Sequence, residues 1–152
     1  MTKINNPICR IRTARVEDYC TCLPLLSLLY HADIGPDFKH AFEEFVNTEY
    51  GVILIAEHSG KVVGILIGSY CLDIDWEGKI AKIDALIVDE AFRRIGIGKK
   101  LISRLIAMAK KRNCKAIKSR VNIKNLRAQK FHEKLGFERA NTYEYMLELH
   151  GP

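Results

Sequence analysis

The chain has 152 residues, 48% of them apolar, and a net charge of +6, which predicts one domain over residues 1–152 that buries roughly two-thirds of its unfolded surface. Its longest apolar runs, residues 51–56 and 62–67, are strand-sized and far below the about 20 residues of a membrane span, so no membrane role is expected. Residues 1–7 lack the apolar core of a secretory signal, and five cysteines, an odd number without a CxxC pair, predict reduced thiols, a cytoplasmic location and no metal site.

Alternation over residues 8–12 predicts a first strand, and Glu17-Asp18 before Leu23, Leu25, Leu26, Leu28 and Leu29 predicts a helix with Pro24 in its first turn. After the turn residues Gly35-Pro36, Phe38, Ala41, Phe42, Phe45 and Val46 share one face of a second helix over residues 37–48. Two β-rich runs, 52–57 and 61–71, flank His58-Ser59-Gly60, and a third covers 79–88, which makes an antiparallel meander. From Gly96 an amphipathic helix turns Leu101, Ile102, Leu105, Ile106 and Ala109 inward and ends near Asn113. A short strand at 116–121, a helix over 125–135 stopped by Gly136 and strand pattern at 143–149 complete an α+β chain. The expected order is β-α-α-β-β-β-α-β-α-β-β.

The chemistry-bearing segment is Leu86-Ile87-Val88 followed by Arg93-Arg94-Ile95-Gly96-Ile97-Gly98-Lys99: a strand, a glycine turn and a helix start. Glycines let the backbone approach a ligand, and the free N–H groups of a first helical turn, with Arg93, Arg94 and Lys99 nearby, suit a pyrophosphate. The segment has neither the spacing nor the hydroxyl of a P-loop, and it lacks the third glycine and the βαβ context of a dinucleotide fold. Charge is segregated in the same sense. Between residues 93 and 134 fifteen Lys or Arg face one acid, Glu133, for a net +14, whereas residues 1–92 carry −6. A basic half suits a polyanionic ligand, and no zinc-finger spacing, RNP motif or aromatic stacking series accompanies it, which disfavours nucleic acid.

A strand ending Leu-x-Val, then Arg93-x-x-Gly96-x-Gly98 opening a helix, resembles the acetyl-coenzyme A signature of the GNAT superfamily of N-acetyltransferases. Asn125-x-x-Ala128-x-x-Phe131-His132-Glu133-Lys134-Leu135-Gly136-Phe137 resembles that family's later helix. The resemblance implies a mixed, mostly antiparallel central sheet flanked by helices, whose strands ending near Val88 and Val121 splay around the pantetheine arm of acetyl-CoA. It implies that Leu86, Ile87 and Val88 pair with that arm, that residues 93–99 hold the pyrophosphate, that Asn125 bonds the pantetheine or adenosine end, and that Lys134 meets the ribose phosphate. It also allows a homodimer through the last strands.

Acetyl transfer to an amine needs a neutral nucleophile, a donor for the developing oxyanion and a proton for the leaving thiolate. The resemblance assigns the oxyanion to the N–H of Val88. Where much of the family has a tyrosine acid this chain has His132, an imidazole able to donate a proton, with Tyr143 and Tyr145 as further donors. Asp84, sharing strand parity with Leu86 and Val88, is the candidate base, and Glu57, Asp73, Asp75 and Glu77 lie near strand ends that could border the acceptor. The −6 half suggests a cationic amine acceptor of unidentified structure. The rival reading is a non-catalytic module that binds or senses acyl-CoA.

Overall fold

Continuous apolar runs, buried on both faces of the sheet, and a two-residue turn decide the middle of the chain. The computed structural model, which describes residues 9–30 and 34–149, forms a five-stranded sheet in the order β1-β2-β3-β4-β5. The strands are β1 (Arg10–Thr13), β2 (Gly51–His58), β3 (Lys61–Asp73), β4 (Gly78–Val88) and β5 (Ile117–Ser119). Neighbours among β1 to β4 are antiparallel. Between β2 and β3, Ser59 and Gly60 both adopt positive φ, 52° and 76°, the twist that a tight hairpin turn requires. β5 joins β4 in parallel, because a helix returns the chain to the starting end of the sheet.

The helices are α1 (Tyr19–Tyr30), α2 (Pro36–Asn47), α3 (Ile97–Lys111) and α4 (Leu126–Lys134). One face of the sheet, through Ile53, Ile55, Ile65 and Ile67, packs with Tyr19, Cys22, Leu25 and Leu26 of α1 and Phe42 of α2. Burying each such side chain contributes about 1.5–3 kcal/mol. α3 covers the other face at close range. A Cβ on Gly64 would stand 3.1 Å from both Ile97 Cγ2 and Leu101 Cδ1, so the glycine lets this helix lie against β3. Arg12 joins the edge strand to its surroundings, with Nη1 2.8 Å from Asp18 Oδ2 and Nη2 2.7 Å from Glu57 Oε1.

Those Arg12 contacts set the start of α1 earlier than the leucine pattern suggests. Asp18 Oδ2 also accepts the backbone N–H of Arg15 at 2.6 Å, which anchors a short 3-10 turn ahead of the helix. Pro24 consequently lies inside α1 and not in its first turn. The described residues fall into two compact units that divide between Arg120 and Val121. In the second, α4 ends at Gly136, whose φ of 91° is the left-handed geometry of a helix stop. The closing strands expected over residues 143–149 do not form. Tyr143, Tyr145, Met146, Leu147 and Leu149 are 83% to 92% exposed. Alternation marks what a strand would bury, but a strand exists only where another backbone pairs with it, and no ladder includes residues 143–149 among the described residues.

Candidate active site

β4 is longer than its parallel neighbour, and this creates an opening. β5 pairs only with Ala81, Lys82 and Ile83, so beyond Ile83 one edge of β4 has no strand against it among the described residues. The phase of the ladder decides which groups face that edge. The N–H of Asp89 donates to the Val63 carbonyl at 2.8 Å, so the backbone groups of residues 87 and 89 point towards β3. Those of Leu86 and Val88 then point to the open edge. Sequence reasoning expected both Ile87 and Val88 to offer backbone groups to a ligand; the backbone of Ile87 is instead paired within the sheet.

Asp84 sits at an irregularity. Ile67 pairs with Ala85 and Gly68 with Ile83, so Asp84 is an extra residue opposite β3. This bulge switches faces: Ala85 and Ile87 pack with the α1–α2 core, whereas Tyr70, the partner of Ala81, lies under Arg112 just past α3, with the guanidinium carbon 4.3 Å from the ring centroid. The parity linking Asp84 to Leu86 and Val88 is therefore broken, and Asp84 joins the face of Ala85 and Ile87. Gly68 makes the bulge possible, since a Cβ there would lie 2.8 Å from the Lys82 carbonyl oxygen. Asp84 is exposed and near the end of α1. Burial first, then the charge of Asp84, raises the Tyr30 phenol above its ordinary pKa, while Arg120 acts in the opposite sense. The Tyr30 ring meets Phe38 edge-on at 5.2 Å. Of the other acids, Glu57 is held by Arg12, and Asp73 by Lys118 at 2.6 Å. The Lys118 hydrogen bond lowers the pKa of Asp73. Tyr30 is a candidate that sequence reasoning missed, because nothing local marks a tyrosine at a helix end as facing a strand bulge.

Beyond Val88, Asp89 Oδ1 accepts the N–H of Ala91 at 3.0 Å and starts a 3-10 turn, Glu90–Phe92. Arg93 Nε donates to the Val88 carbonyl at 3.1 Å, tying the following turn to the strand end. Arg94 and Gly96 both have positive φ, 65° and 83°, and Gly96 leads into α3 with no side chain capping it. The first intrahelical bond is from Lys100 N–H to the Gly96 carbonyl, 3.0 Å, so the N–H groups of Ile97, Gly98 and Lys99 precede the ladder. The Ile97 side chain is buried, leaving only its backbone for a ligand, while Arg94, Ile95 and Lys99 are exposed. Uncapped N–H groups at a positive helix end, beside two cations, present donors and charge of the kind that an anion's oxygens accept.

In the second unit Asn125 caps α4, its Oδ1 accepting the Ala128 N–H at 3.0 Å. His132 is only 8% exposed, and its Nδ1 lies 2.8 Å from the Ala128 carbonyl, a contact in which the nitrogen must donate. The ring meets Phe131 and Phe137 edge-on at 5.5 and 5.2 Å. Any proton His132 passes on must therefore leave from Nε2. Lys134 is exposed at the end of α4, and Tyr143 is almost fully exposed.

The model of the acetyltransferase (GNAT) family matches residues 17–137. An uncharacterised N-acetyltransferase of Methanocaldococcus jannaschii is 32% identical over 100 residues, which cover 62% of this chain and 42% of that protein. Among solved structures, the aminoglycoside N-acetyltransferase AAC(6')-Iy in complex with CoA superimposes with a TM-score of 0.88 at 19% identity, covering 96% of this chain and 98% of that one. A ribosomal-protein-alanine N-acetyltransferase of Brucella melitensis gives 0.77 at 21% identity, covering 92% and 99%.

Proposed function

The chain belongs to the acetyltransferase (GNAT) family, and from that membership we propose that it transfers the acetyl group of acetyl-CoA to the primary amine of a cationic acceptor by direct attack. The observation that carries this reading is the unpaired β4 edge running into the uncapped start of α3. An extended, amide-bearing arm fits the first as an added strand would, and a pyrophosphate fits the second.

Acetyl-CoA supplies the activated thioester. Leu86 and Val88 bind its arm through backbone groups, and the Val88 N–H donates to the carbonyl oxygen as negative charge develops there. The N–H groups of Ile97, Gly98 and Lys99, with the Arg94 and Lys99 side chains, hold the pyrophosphate, while Arg93 keeps the turn against the strand end. Asp84 takes the acceptor's ammonium and then its proton, so that the attacking amine is neutral. Tyr30 and Phe38 line the same region with apolar ring surface, which also favours a cation. Asn125 and Lys134 are assigned to the cofactor's polar groups. His132, through Nε2, or Tyr143 in its place, returns a proton to the departing sulfur.

The two structural neighbours are named for different acceptors, an aminoglycoside and a ribosomal-protein alanine, so the shared fold does not select one. The −6 charge of residues 1–92 and the exposed Asp84 favour a polyamine-like or aminoglycoside-like amine. We read residues 1–152 as one functional domain, because the family match runs through both compact units. Five free thiols suit a reducing, cytoplasmic compartment. Calorimetry with acetyl-CoA, coupled to thiol release across polyamines, aminoglycosides, lysine peptides and neutral amines, tests the proposal. Binding with turnover of cationic amines is expected. Binding without turnover of any amine would favour the acyl-CoA-sensing alternative, and no binding would overturn the reading.

A further inference from the structure

The turn that leads from β4 to α3 is gripped from outside by the tip of the β2–β3 hairpin. His58 and Lys61 are register partners on either side of Ser59-Gly60. The His58 ring lies 5.1 Å from the Phe92 ring, tilted by 58°, and Lys61 Nζ stands 5.9 Å from the centroid of that same ring. Lys61 Nζ also donates to Asp89 Oδ2 at 3.4 Å. The hairpin therefore touches the 3-10 turn at both ends, at Asp89 before it and at Phe92 as its last residue.

Neither element needs these contacts for its own shape. The positive φ of Ser59 and Gly60 forms the hairpin, and Asp89 Oδ1, through the Ala91 N–H, forms the 3-10 turn. Phe92 is half-buried and stands outside the core packed against α1 and α2, so its ring is not there to fill that core. Lys61 is largely exposed, and an exposed ion pair contributes little stability by itself. What the contacts share is the segment they precede. Arg93 and Arg94 follow Phe92 directly, Arg93 Nε ties back to the Val88 carbonyl, and the positive φ of Arg94 and Gly96 directs the chain into α3. A single 3-10 turn has few hydrogen bonds of its own, so its path depends on what packs against it.

We propose that His58 and Lys61 are positioning residues for the glycine turn: by holding Phe92 and Asp89 they set the course of residues 93–96 before acetyl-CoA arrives. The inference rests on the acetyl-CoA reading above and assigns no ligand contact to the hairpin. Its effect is preorganisation. A turn already on its bound path loses less freedom when a pyrophosphate docks, so the hairpin contacts raise affinity without touching the ligand.

The test is a double-mutant cycle on the dissociation constant of acetyl-CoA, measured by calorimetry, with Phe92→Leu and Arg94→Gln alone and together. Phe92→Leu should weaken binding about threefold to tenfold, the scale of one ring–ring and one cation–π contact. In the Arg94→Gln background the same substitution should cost clearly less, because the group whose placement it disturbs is already gone. Phe92→Tyr, which keeps the ring, should bind like the wild type, and Lys61→Met, which keeps the stem and loses the charge, should weaken binding about twofold. A purely structural Phe92 would lower the melting temperature and leave the dissociation constant alone, and that result overturns the inference. So does an effect of Phe92→Leu that is equal in both backgrounds, or one that Phe92→Tyr reproduces. In each of these cases the wild type still binds acetyl-CoA, whereas a wild type that fails to bind it would overturn the acetyltransferase reading and this inference with it.

Discussion

Replacing Gly68 with alanine asks whether the bulge in β4 delivers Asp84 to the acceptor side. The new Cβ would lie 2.8 Å from the Lys82 carbonyl oxygen and 3.2 Å from Val52 Cγ1. The first neighbour is backbone and cannot rotate away, so β4 must shift beside the bulge. Overpacking of this kind costs about 1–3 kcal/mol, and the urea midpoint should fall accordingly with an unchanged m-value. Because the displacement falls two residues before Asp84, kcat/KM for the amine should drop, whereas affinity for acetyl-CoA, set beyond Leu86, should hold within about twofold. Gly51→Ala is the control. Its Cβ would stand 2.6 Å from the Phe45 carbonyl oxygen, a comparable backbone conflict that falls on α2 and not on β4, and should lower stability without altering acceptor kinetics of the folded protein. Equal kinetic effects from the two substitutions, or a Gly68→Ala protein with unchanged midpoint and kcat/KM, would refute the reasoning.

His132→Ala removes a buried ring held between Phe131 and Phe137 and should cost about 1–3 kcal/mol by the same urea assay. If Nε2 is the acid, kcat must also fall and its pH profile change shape; a lower midpoint with an unchanged profile would leave His132 purely structural. Asp18 tests the N-terminal anchor. Hydrogen bonds from Arg12 hold its carboxyl below the ordinary pKa, so the stabilisation is present above about pH 3.9, the unfolded value, and is lost as pH falls through the folded value. Thermal melts of wild type and Arg12→Gln should differ most near neutral pH and converge in acid; a gap that persists at low pH would show that Asp18 is not the source.

Elements with a dense local code were legible in the sequence. Phe38, Phe42 and Phe45 announced α2, Ser59-Gly60 announced a hairpin, and Leu101, Ile102 and Leu105 announced α3. The glycine turn was equally readable, since Gly96 must take a left-handed φ wherever the chain folds. What failed to show was whatever depends on a distant neighbour. The bulge at Asp84 requires a glycine on another strand, so parity counted along β4 alone assigned the wrong face. Pro24 seemed to open a helix because the anchor between Arg12 and Asp18 is invisible to periodicity. Residues 143–149 carry a strand's alternation but belong to no ladder among the described residues. The tautomer of His132 depends on the Ala128 carbonyl one turn back, which a residue pattern does not reveal.

The short joint between β4 and β5 has a consequence for how the molecule assembles. β2, β3 and β4 follow one another through tight turns, so their pairing closes small loops and can proceed early. β5 reaches β4 only after all of α3 has been laid down between Val88 and Ile117, and it then contributes three residue pairs. The wall of the opening along β4 is thus the last and least secured seam of the sheet. A molecule lying along the remaining edge of β4 would add pairing where the chain itself stops, so heat resistance should climb with the concentration of that ligand. In a cell, the lifetime of the folded protein would then follow the supply of its own acyl donor.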